Sequence, residues 1–415
     1  MLNRLAIPIV AAICWTSSAF AETPAALTEK FLVEGKLADG EKALTEIVAA
    51  HPNDAEALFG LGTIQFVRAT ERLVQSFHRY GMRTSLFGNA LPFDRLPIPA
   101  NNAPEVIRYS DHRAILMTFN DDLAKAESTL ARIDNKDVKL PLHFGQIRLD
   151  LNNDGKVDVE ETLWKIYARL NAGARDPVTA EASNAFLITF DRGDVAWLRG
   201  YCHLLMAMCE ATLAHDFHEL FEYSGCLFYP KAETPFPFLR RGPVEEVNED
   251  SMSEDILDAI AMIHIIRLPV LEPARMKVAM AHLESMIVLS RESWKFILGE
   301  TDDDHEWVPN PKQHTVMPGG TVSEAMVKGW MEFLDEAQAI FKGEKLIPFW
   351  RQRDDRGVNL RRVFTEPRMF DLVLWIQGTA AAPYLEKGPK TKPETWQRLQ
   401  TIFQGQFIGF AFWFN

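Results

Sequence analysis

Apolar residues recur at helical spacing along nearly the whole chain, whereas the alternating pattern of a half-buried strand is nearly absent. Capping boxes, in which a Ser, Thr or Asn precedes a Glu by three residues, begin at Asn53, Ser251, Thr321 and Thr391. The sequence therefore predicts an all-α, multi-helix protein. We expect helices at about 24–34, 38–50, 54–80, 104–133, 140–149, 159–171, 193–223, 253–267, 273–298, 322–342 and 393–404.

The composition narrows the functional classes. Of the 415 residues, 47% are hydrophobic and 24% are charged, which is typical of a folded chain long enough to bury more than one core. The formal net charge of −13 opposes binding to a nucleic-acid backbone, so no nucleic-acid partner is expected. A chain with this net charge is better suited to binding cations or basic partners.

The first 21 residues have the three zones of a secretory signal peptide. Arg4 precedes an apolar stretch over residues 5–15, and Ala19, Phe20 and Ala21 form a small-x-small cleavage site. The apolar stretch is too short to span a bilayer and contains Pro8, so no transmembrane segment is expected. We therefore predict a signal peptide over residues 1–21, cleavage after Ala21, and a periplasmic or secreted bacterial protein.

Three cysteines remain after this cleavage, so at most one disulfide can form within the mature chain. Cys202 and Cys209 lie on one predicted helix, about 10 Å apart along its axis, and cannot pair without unwinding it. Cys226 is the only partner available to either. The alternative is that all three are buried thiols that act as small apolar side chains.

Residues 22–80 carry a helix-turn-helix pattern. Gly35 and Leu37 precede a His-Pro-Asn-Asp turn at residues 51–54, and Leu61 and Gly62 open the following helix. This pattern resembles a tetratricopeptide repeat, which implies a protein partner bound through the N-terminal helices. Only one unit and the start of another are present, so the alternative is a helical hairpin packed on the body of the protein.

Residues 150–161 place oxygen donors at the spacing that a calcium ion requires. A hard cation with about six or seven oxygen ligands needs short acidic or amide side chains at alternating positions of a tight loop. Gly155 lies where the chain must turn sharply. The predicted metal ligands are Asp150, Asn152, Asp154, the backbone carbonyl of Lys156, Asp158 and Glu161.

This segment resembles the calcium-binding loop of the EF-hand family. The resemblance implies a bound Ca²⁺, an apolar anchor at Val157, and coordination by both oxygens of Glu161 from the first turn of an exiting helix. Pro141 departs from the pattern, because it shortens or bends the entering helix. The alternative is an acidic surface loop without an ion.

EF-hands normally pair, but the sequence contains no second loop of this pattern; Asp302, Asp303 and Asp304 lack the glycine and the terminal Glu. We therefore expect the body of the protein or dimerisation to support the loop. Its carboxylates repel one another without the ion, so a structural calcium is favoured over a switch.

The sequence offers a second candidate metal site at the end of the helix predicted over residues 193–223. Helical spacing places His215 beside His218 and Glu219, and His218 beside Glu222, with His264 and His282 available from the following helices. The alternative is that these polar residues only mark the end of a buried helix, where His is favoured near the C-terminus. The chain has no phosphate-binding Gly loop and no Gly-x-Ser-x-Gly motif.

Two predicted helices, 193–223 and 253–267, are apolar almost all round and are expected at the centre of a core. The second should form an antiparallel hairpin with 273–298. With a loose boundary near residue 185, we predict N-terminal helices at 22–80, an EF-hand segment at 104–185 and a C-terminal helical domain at 186–415.

The sequence as a whole predicts an exported calcium-binding protein with a structural EF-hand site. Because catalytic motifs are missing from the sequence, we interpret it as an interaction or accessory module without a catalytic residue. The competing hypothesis is a helical metalloenzyme that uses His215, His218 and Glu219.

Overall fold

The computed structural model describes residues 22–83, 97–170, 186–240, 249–316, 321–351, 355–405 and 407–414. These ranges are mostly helical, with a few short strands, so the all-α class is confirmed. The predicted signal peptide, residues 1–21, lies outside the described residues.

Five helices lie in the first half of the described chain, and short turns separate the first three. The side chains of Thr23 and Asp54 cap two of these helices by accepting a backbone N–H of the first turn, as these residue types commonly do. The helices are α1 (Pro24–Glu34), α2 (Leu37–Ala50), α3 (Ala55–Arg79), α4 (Tyr109–Leu130) and α5 (Leu163–Leu170).

The second half of the described chain contains four long helices, of 17 to 25 residues, and several short ones. Its helices are α6 (Arg192–Leu213), α7 (His218–Phe228), α8 (Glu249–Ile265), α9 (Pro273–Ile297), α10 (Glu324–Phe341), α11 (Leu360–Thr365), α12 (Leu372–Gln377), α13 (Pro393–Ile402) and α14 (Phe407–Phe414).

Within the described ranges, the strands form three small antiparallel sheets. β1 (Leu140–His143) pairs with β2 (Leu187–Phe190) so that Leu140 lies opposite Phe190. β3 (Arg267–Leu268) pairs with β6 (Phe370–Asp371). The third sheet has the order β4 (Ile347–Pro348), β5 (Gly357–Val358) and β7 (Leu385–Glu386). The β1–β2 pair joins residues on both sides of the boundary predicted near 185, and the division into domains stays a prediction.

The N-terminal core depends on two glycines of α3 that allow close helix packing. A Cβ atom on Gly62 would lie 2.5 Å from Leu130 of α4, and one on Gly60 would lie 2.0 Å from the Thr28 hydroxyl of α1. Leu58 and Leu61 are buried beside them. α3 is thereby packed tightly against both α1 and α4.

One predicted helix is wrong. Residues 140–149 contain strand β1 and a single 3-10 turn at Phe144–Gln146 rather than a helix. The segment pairs with β2, and the carboxylate of Glu29 accepts the His143 N–H at 3.0 Å. Tertiary hydrogen bonds have therefore overridden the apolar spacing of this segment.

The helix predicted over 193–223 is interrupted, and α6 and α7 replace it. The N–H of Asp216 donates to the carbonyl of Pro269 at 2.8 Å, and Leu271 and Glu272 donate to the carbonyl of Ala214. The Asp216 carboxylate then accepts the His218 N–H at 3.0 Å. The chain after α8 therefore occupies the backbone groups that would have continued α6.

The position predicted for residues 253–267 is also wrong. α8 packs against α7 on one side, but Ile256 and Leu257 are 57% and 65% exposed, so the helix is not at the centre of a core. α9 packs mainly against α6 instead of forming the predicted hairpin with α8. The linker between α8 and α9 contains β3, whose pairing with β6 directs the chain away from a tight turn.

The aromatic C-terminus docks onto the second half of the chain. Phe403, Phe407 and Phe410 are buried in one cluster with Trp330 and Leu334 of α10. Trp330 donates its indole N–H to the Ser290 hydroxyl at 3.0 Å, which satisfies the one polar atom of this buried side chain.

Acid should destabilise this fold through His112 of α4. Burial lowers the pKa of His112 from 6.5 to about 4, and its Nδ1 lies 3.2 Å from the Tyr229 hydroxyl. Because the folded pKa lies below the unfolded one, stability is complete above about pH 6.5 and falls as the pH drops toward about 4. Over this pH interval, we expect His112 to lower the free energy of unfolding by about 2–3 kcal/mol.

Urea unfolding at several pH values measures this loss. His112→Phe retains a ring between Phe217 and Phe221 without a titratable group, so its stability should fall less steeply over the same pH interval. An unchanged slope in the variant would show that other groups cause the acid sensitivity.

Candidate calcium site

The candidate calcium loop, residues 150–161, lies between a 3-10 turn and a helix. The 3-10 turn Phe144–Gln146 precedes it, and a second one, Val159–Glu161, closes it just before α5. The N–H of Leu149 donates to the carbonyl of Glu161 at 3.0 Å, and that of Leu163 donates to the carbonyl of Ile147 at 2.8 Å. These bonds hold the two ends of the loop side by side.

Within the loop, the predicted ligands at its start form successive Asx-type turns. Asp150 accepts the N–H groups of Asp154 at 3.1 Å and Gly155 at 3.0 Å through its two carboxylate oxygens. The Asn152 side-chain oxygen accepts the Asp154 N–H at 2.9 Å, and Asp154 accepts the Lys156 N–H at 2.8 Å. Short oxygen-bearing side chains thus fold back into the loop, as this spacing favours.

The backbone turns sharply where the sequence places Gly155. Gly155 has φ 76° and Asn153 has φ 60°, both in the left-handed region. Glycine adopts this conformation without strain, and asparagine tolerates it better than most residues. The loop backbone therefore has the turn that the sequence predicts at Gly155.

The far end of the loop is organised by Asp158 and Glu161. Glu161 accepts the N–H groups of Leu151 and Asp158, each at 3.0 Å, through separate carboxylate oxygens. Asp158 accepts the N–H of Glu160 at 2.7 Å. Burial raises the pKa of Glu161, and the nearby charges of Asp158 and Asp150 add to the rise. Glu161 belongs to a 3-10 turn rather than to the first turn of a continuous exiting helix.

The body of the protein supports this loop through α3. The N–H of Asp150 donates to the Glu71 carboxylate at 2.8 Å, and the Gln75 side-chain amide donates to the carbonyl of Asp150 at 2.6 Å. Glu71 and Gln75 were not predicted from the sequence. The sequence feature that could have indicated them is an acidic and an amide side chain one helical turn apart, on a helix whose neighbouring positions are buried.

The C-terminal end of α1 provides a second support. The N–H of Arg148 donates to the carbonyl of Leu32 at 3.0 Å. Val157, the predicted apolar anchor, lies against Gly35, where an added Cβ atom would come within 2.6 Å of the Val157 side chain. The loop is therefore fixed to α1 and α3, two of the three helices within residues 22–80.

Several acidic groups crowd together beneath the loop. Burial raises the pKa of Glu71 to about 7, and the charges of Asp150 and Glu161 contribute to the rise. Because these carboxylates repel one another in a partly buried place, a bound cation would relieve the repulsion.

The donor chemistry and the loop turns fit a calcium ion, because each predicted side-chain ligand offers hard oxygens. In the structure, however, those oxygens are not arranged around one point as metal ligands are, because they accept N–H groups of the loop itself. Across the ranges that the structure describes, no group of three or more His, Cys, Asp and Glu side chains is arranged to hold a metal ion. A carboxylate oxygen that accepts one N–H can still accept a second partner, so these hydrogen bonds do not exclude an ion. To bind one ion together, the side chains would have to move toward a common point.

The alternative histidine site is not assembled. His215 is buried and its Nδ1 lies 2.8 Å from the carbonyl of Ala211 on its own helix. His218 stacks on Tyr109 with ring centroids 4.8 Å apart, and its Nε2 lies 3.5 Å from Glu222. Glu219 is exposed on α7. The break after α6 leaves His215 outside the helix that carries His218 and Glu219, and of the predicted neighbours only His218 and Glu222 are brought together.

His282 meets a different histidine from those predicted. Its Nδ1 lies 2.7 Å from that of His203 on α6, and the Nε2 of His203 lies 3.6 Å from Glu127. Burial and the neighbouring His203 lower the pKa of His282. His264 is exposed at the end of α8. This pair joins α6 to α9.

A group of buried acids lies at the start of α6. Asp191 caps the helix, and burial together with the charge of Asp191 raises the pKa of Asp194 well above its usual value. Burial and Asp191 also raise the pKa of Glu300 to about 9, and burial raises that of Glu306 to about 7. Burial thus shifts the ionisation equilibrium of each of these carboxyl groups toward its protonated form.

The acidic segment of residues 302–304, which lacks the calcium-loop pattern, lies at the surface. Lys139 pairs with Asp302 at 2.7 Å and with Asp304 at 3.3 Å, and His314 lies 2.7 Å from Asp303. These side chains are largely exposed, so each pair contributes little to stability.

Two cavities adjoin the calcium loop. The first, of about 210 Å³, is apolar and is lined by residues before and after the loop, including Ile147, Leu149 and Leu163, together with Trp197 and Trp307. The second is a polar groove of about 520 Å³ between α3 and the loop residues Asn152 and Asn153. The loop therefore borders both an apolar and a polar space.

The three cysteines within the described ranges are buried thiols. Burial raises the pKa of Cys209 to about 12 and raises that of Cys202 as well, so neither has thiolate character at neutral pH. Within the described ranges, Cys202, Cys209 and Cys226 form no disulfide. Of the two alternatives drawn from the sequence, the structure has the buried thiols.

Comparison of the chain with protein-family models, with curated proteins and with solved structures gives no match. Among the described residues, no helix combines the length and the apolar character needed to cross a bilayer.

Proposed function

We propose that the protein is an exported calcium-binding accessory protein that holds one structural Ca²⁺ in the loop of residues 150–161. The observation that carries this proposal is the oxygen-donor series of the loop, folded by successive side-chain turns and fixed to α1 and α3. The ion would be held by Asp150, Asn152, Asp154, the carbonyl of Lys156, Asp158 and Glu161. Calcium supplies charge neutralisation there.

A structural role follows from where the loop is fixed. Glu71, Gln75, Leu32 and Gly35 belong to α1, α3 and the turn after α1, so calcium would tie these elements to the segment before α5. Neutralising the loop carboxylates removes the repulsion among Asp150, Glu161 and Glu71. The N-terminal helices would then be held in one arrangement.

The proposed partner surface is the polar groove beside the loop. It is lined by α3 residues, among them Ser76 and Arg79, and by Asn152 and Asn153 of the loop. Since α3 belongs to the tetratricopeptide-like segment, a protein partner at this groove would contact both features of the sequence. Export to the periplasm or beyond is part of the proposal, and a mature N-terminus at Glu22 tests it.

Hydrogen–deuterium exchange with and without calcium tests the structural role. Calcium should slow amide exchange in residues 150–161 and in the last turns of α1, and Glu161→Gln should remove this protection. Glu160→Gln is the matched control, because the exposed Glu160 side chain is paired with Lys165 and is not a predicted ligand. Equal exchange with and without calcium in the wild-type protein would contradict the proposal.

A further inference from the structure

Helices α6 and α9 are joined by polar pairs along their contact. Near the start of α6, Arg192 pairs with Glu292 near the end of α9 at 2.6 Å. Near the end of α6, Glu210 pairs with Arg275 at the start of α9 at 2.9 Å. The two helices are therefore antiparallel, and each of these outer pairs joins opposite charges.

Between the outer pairs lies a contact of a different kind, the histidine pair formed by His203 of α6 and His282 of α9. The two Nδ1 atoms are 2.7 Å apart, and the ring centroids are 5.0 Å apart. A neutral imidazole has one N–H and one acceptor nitrogen, whereas an imidazolium donates from both nitrogens. The Nδ1 atoms can therefore share a hydrogen bond only while at least one ring is neutral.

One positive charge on the histidine pair is balanced by Glu127 of α4. Its carboxylate lies 3.6 Å from the Nε2 of His203 and accepts the Nε–H of Arg199 at 2.9 Å. The side chains of Glu127 and His203 are 16% and 15% exposed, so the solvent screens their attraction weakly. A singly protonated pair thus has both its internal hydrogen bond and a carboxylate counter-ion.

A second positive charge on the pair meets less favourable surroundings. The carboxylate of Glu210 already accepts the Arg275 guanidinium at 2.9 Å and the Asn120 amide at 3.0 Å. Burial and the neighbouring His203 lower the pKa of His282. With both rings charged, donor faces donor and like charges repel, so the contact becomes repulsive. The charged groups that face the pair are Glu127 from α4, Arg199 and Glu210 from α6, and Arg275 from α9.

We propose that the histidine pair is a pH switch, which holds α6 against α9 while it carries at most one positive charge and separates them there when both rings are protonated. α4 packs against α6, and α10 packs against α9. The switch therefore lies at the junction between the N-terminal helices and the C-terminal half of the described chain. Acid should loosen this junction while the cores on either side stay packed.

NMR titration of the imidazole resonances tests the shared proton. The wild-type pair should take up its two protons in two steps, at least about 1 pH unit apart, because the first charge opposes the second. In His282→Gln, the resonance of His203 should follow a single step. Uptake of both protons in one step in the wild-type protein would overturn the proposal.

Hydrogen–deuterium exchange tests the opening, with rates corrected for the pH dependence of the chemical exchange itself. Amides of residues 199–207 in α6 and 278–286 in α9 should exchange at least about 10-fold faster at about pH 4.5 than at about pH 7.5. Amides of residues 327–334 in α10, which belongs to the C-terminal aromatic cluster, should change much less.

Two variants separate the charge of the pair from other effects of acid. His282→Gln keeps a hydrogen-bonding amide at this place without a second charge, so most of the acid-dependent opening should disappear. His282→Lys supplies an amine that is charged at neutral pH, so both segments should open already at about pH 7.5. His112→Phe is the control, because His112 is a buried histidine of α4 outside the pair, and this variant should open as the wild-type protein does.

Two further results would contradict the switch. The wild-type segments would exchange at the same corrected rate at both pH values, or His282→Gln would open in acid as fully as the wild-type protein. The second result would assign the acid sensitivity to other groups, such as Glu127.

Discussion

Saturating calcium should raise the melting temperature of the protein, and Glu161→Gln should abolish that rise. A free calcium concentration about 100 times the dissociation constant adds about 2.7 kcal/mol to the free energy of unfolding. For a cooperative chain of this size, that corresponds to about 3 °C. The affinity behind this effect would come from neutralising carboxylates that are crowded against Glu71 and partly buried.

Differential scanning calorimetry in EDTA and in calcium measures this effect. Glu161 accepts two N–H groups, so its replacement also lowers the stability of the calcium-free protein. The decisive quantity is therefore the calcium-dependent shift within each variant. Glu160→Gln should retain the full shift, and a shift of wild-type size in Glu161→Gln would remove Glu161 from the ligand set.

Gly60→Ala should destabilise the protein by about 2–3 kcal/mol, because α1 and α3 are in contact at this position. The new Cβ atom would lie 2.0 Å from the Thr28 hydroxyl and 3.1 Å from the Thr28 Cβ. Thr28 is fully buried and donates to the carbonyl of Pro24 at 2.7 Å, so it cannot move aside without losing that bond. Urea unfolding measures the change.

A double-mutant cycle identifies the cause. Thr28→Ala makes room for the methyl group, so the double variant should be more stable than the sum of the single losses predicts, by at least about 1 kcal/mol. Gly409→Ala is the control, because nothing lies within 4 Å of its added Cβ atom and alanine favours the helix. Strictly additive losses would contradict close packing at Gly60.

The calcium loop illustrates what local sequence predicts well. The turn at Gly155 and the folding back of Asp150, Asn152 and Asp154 depend on residues within a few positions of one another, so residue types suffice. The same reasoning placed the start of α3 one residue early: a capping box was expected to begin at Asn53, and the neighbouring Asp54 caps the helix.

Errors occurred where distant residues decide the structure. The segment 140–149 has apolar residues at helical spacing, but its partners are β2 and Glu29, which lie far away in sequence. Glu71 and Gln75 support the loop from a position about 75 residues earlier, and nothing local connects them to Asp150. α8 has the composition of a core helix, yet its packing leaves one stripe exposed.

Calorimetric titration of calcium into the metal-free protein tests the central claim most directly, that residues 150–161 hold one structural Ca²⁺. We predict saturation at one ion per chain in the wild-type protein and in Glu160→Gln, and no saturable binding in Glu161→Gln. The dissociation constant should be no weaker than about 10⁻³ M, the range of extracellular calcium sites. Absence of saturable binding in the wild-type protein at free calcium well above that concentration would contradict the account.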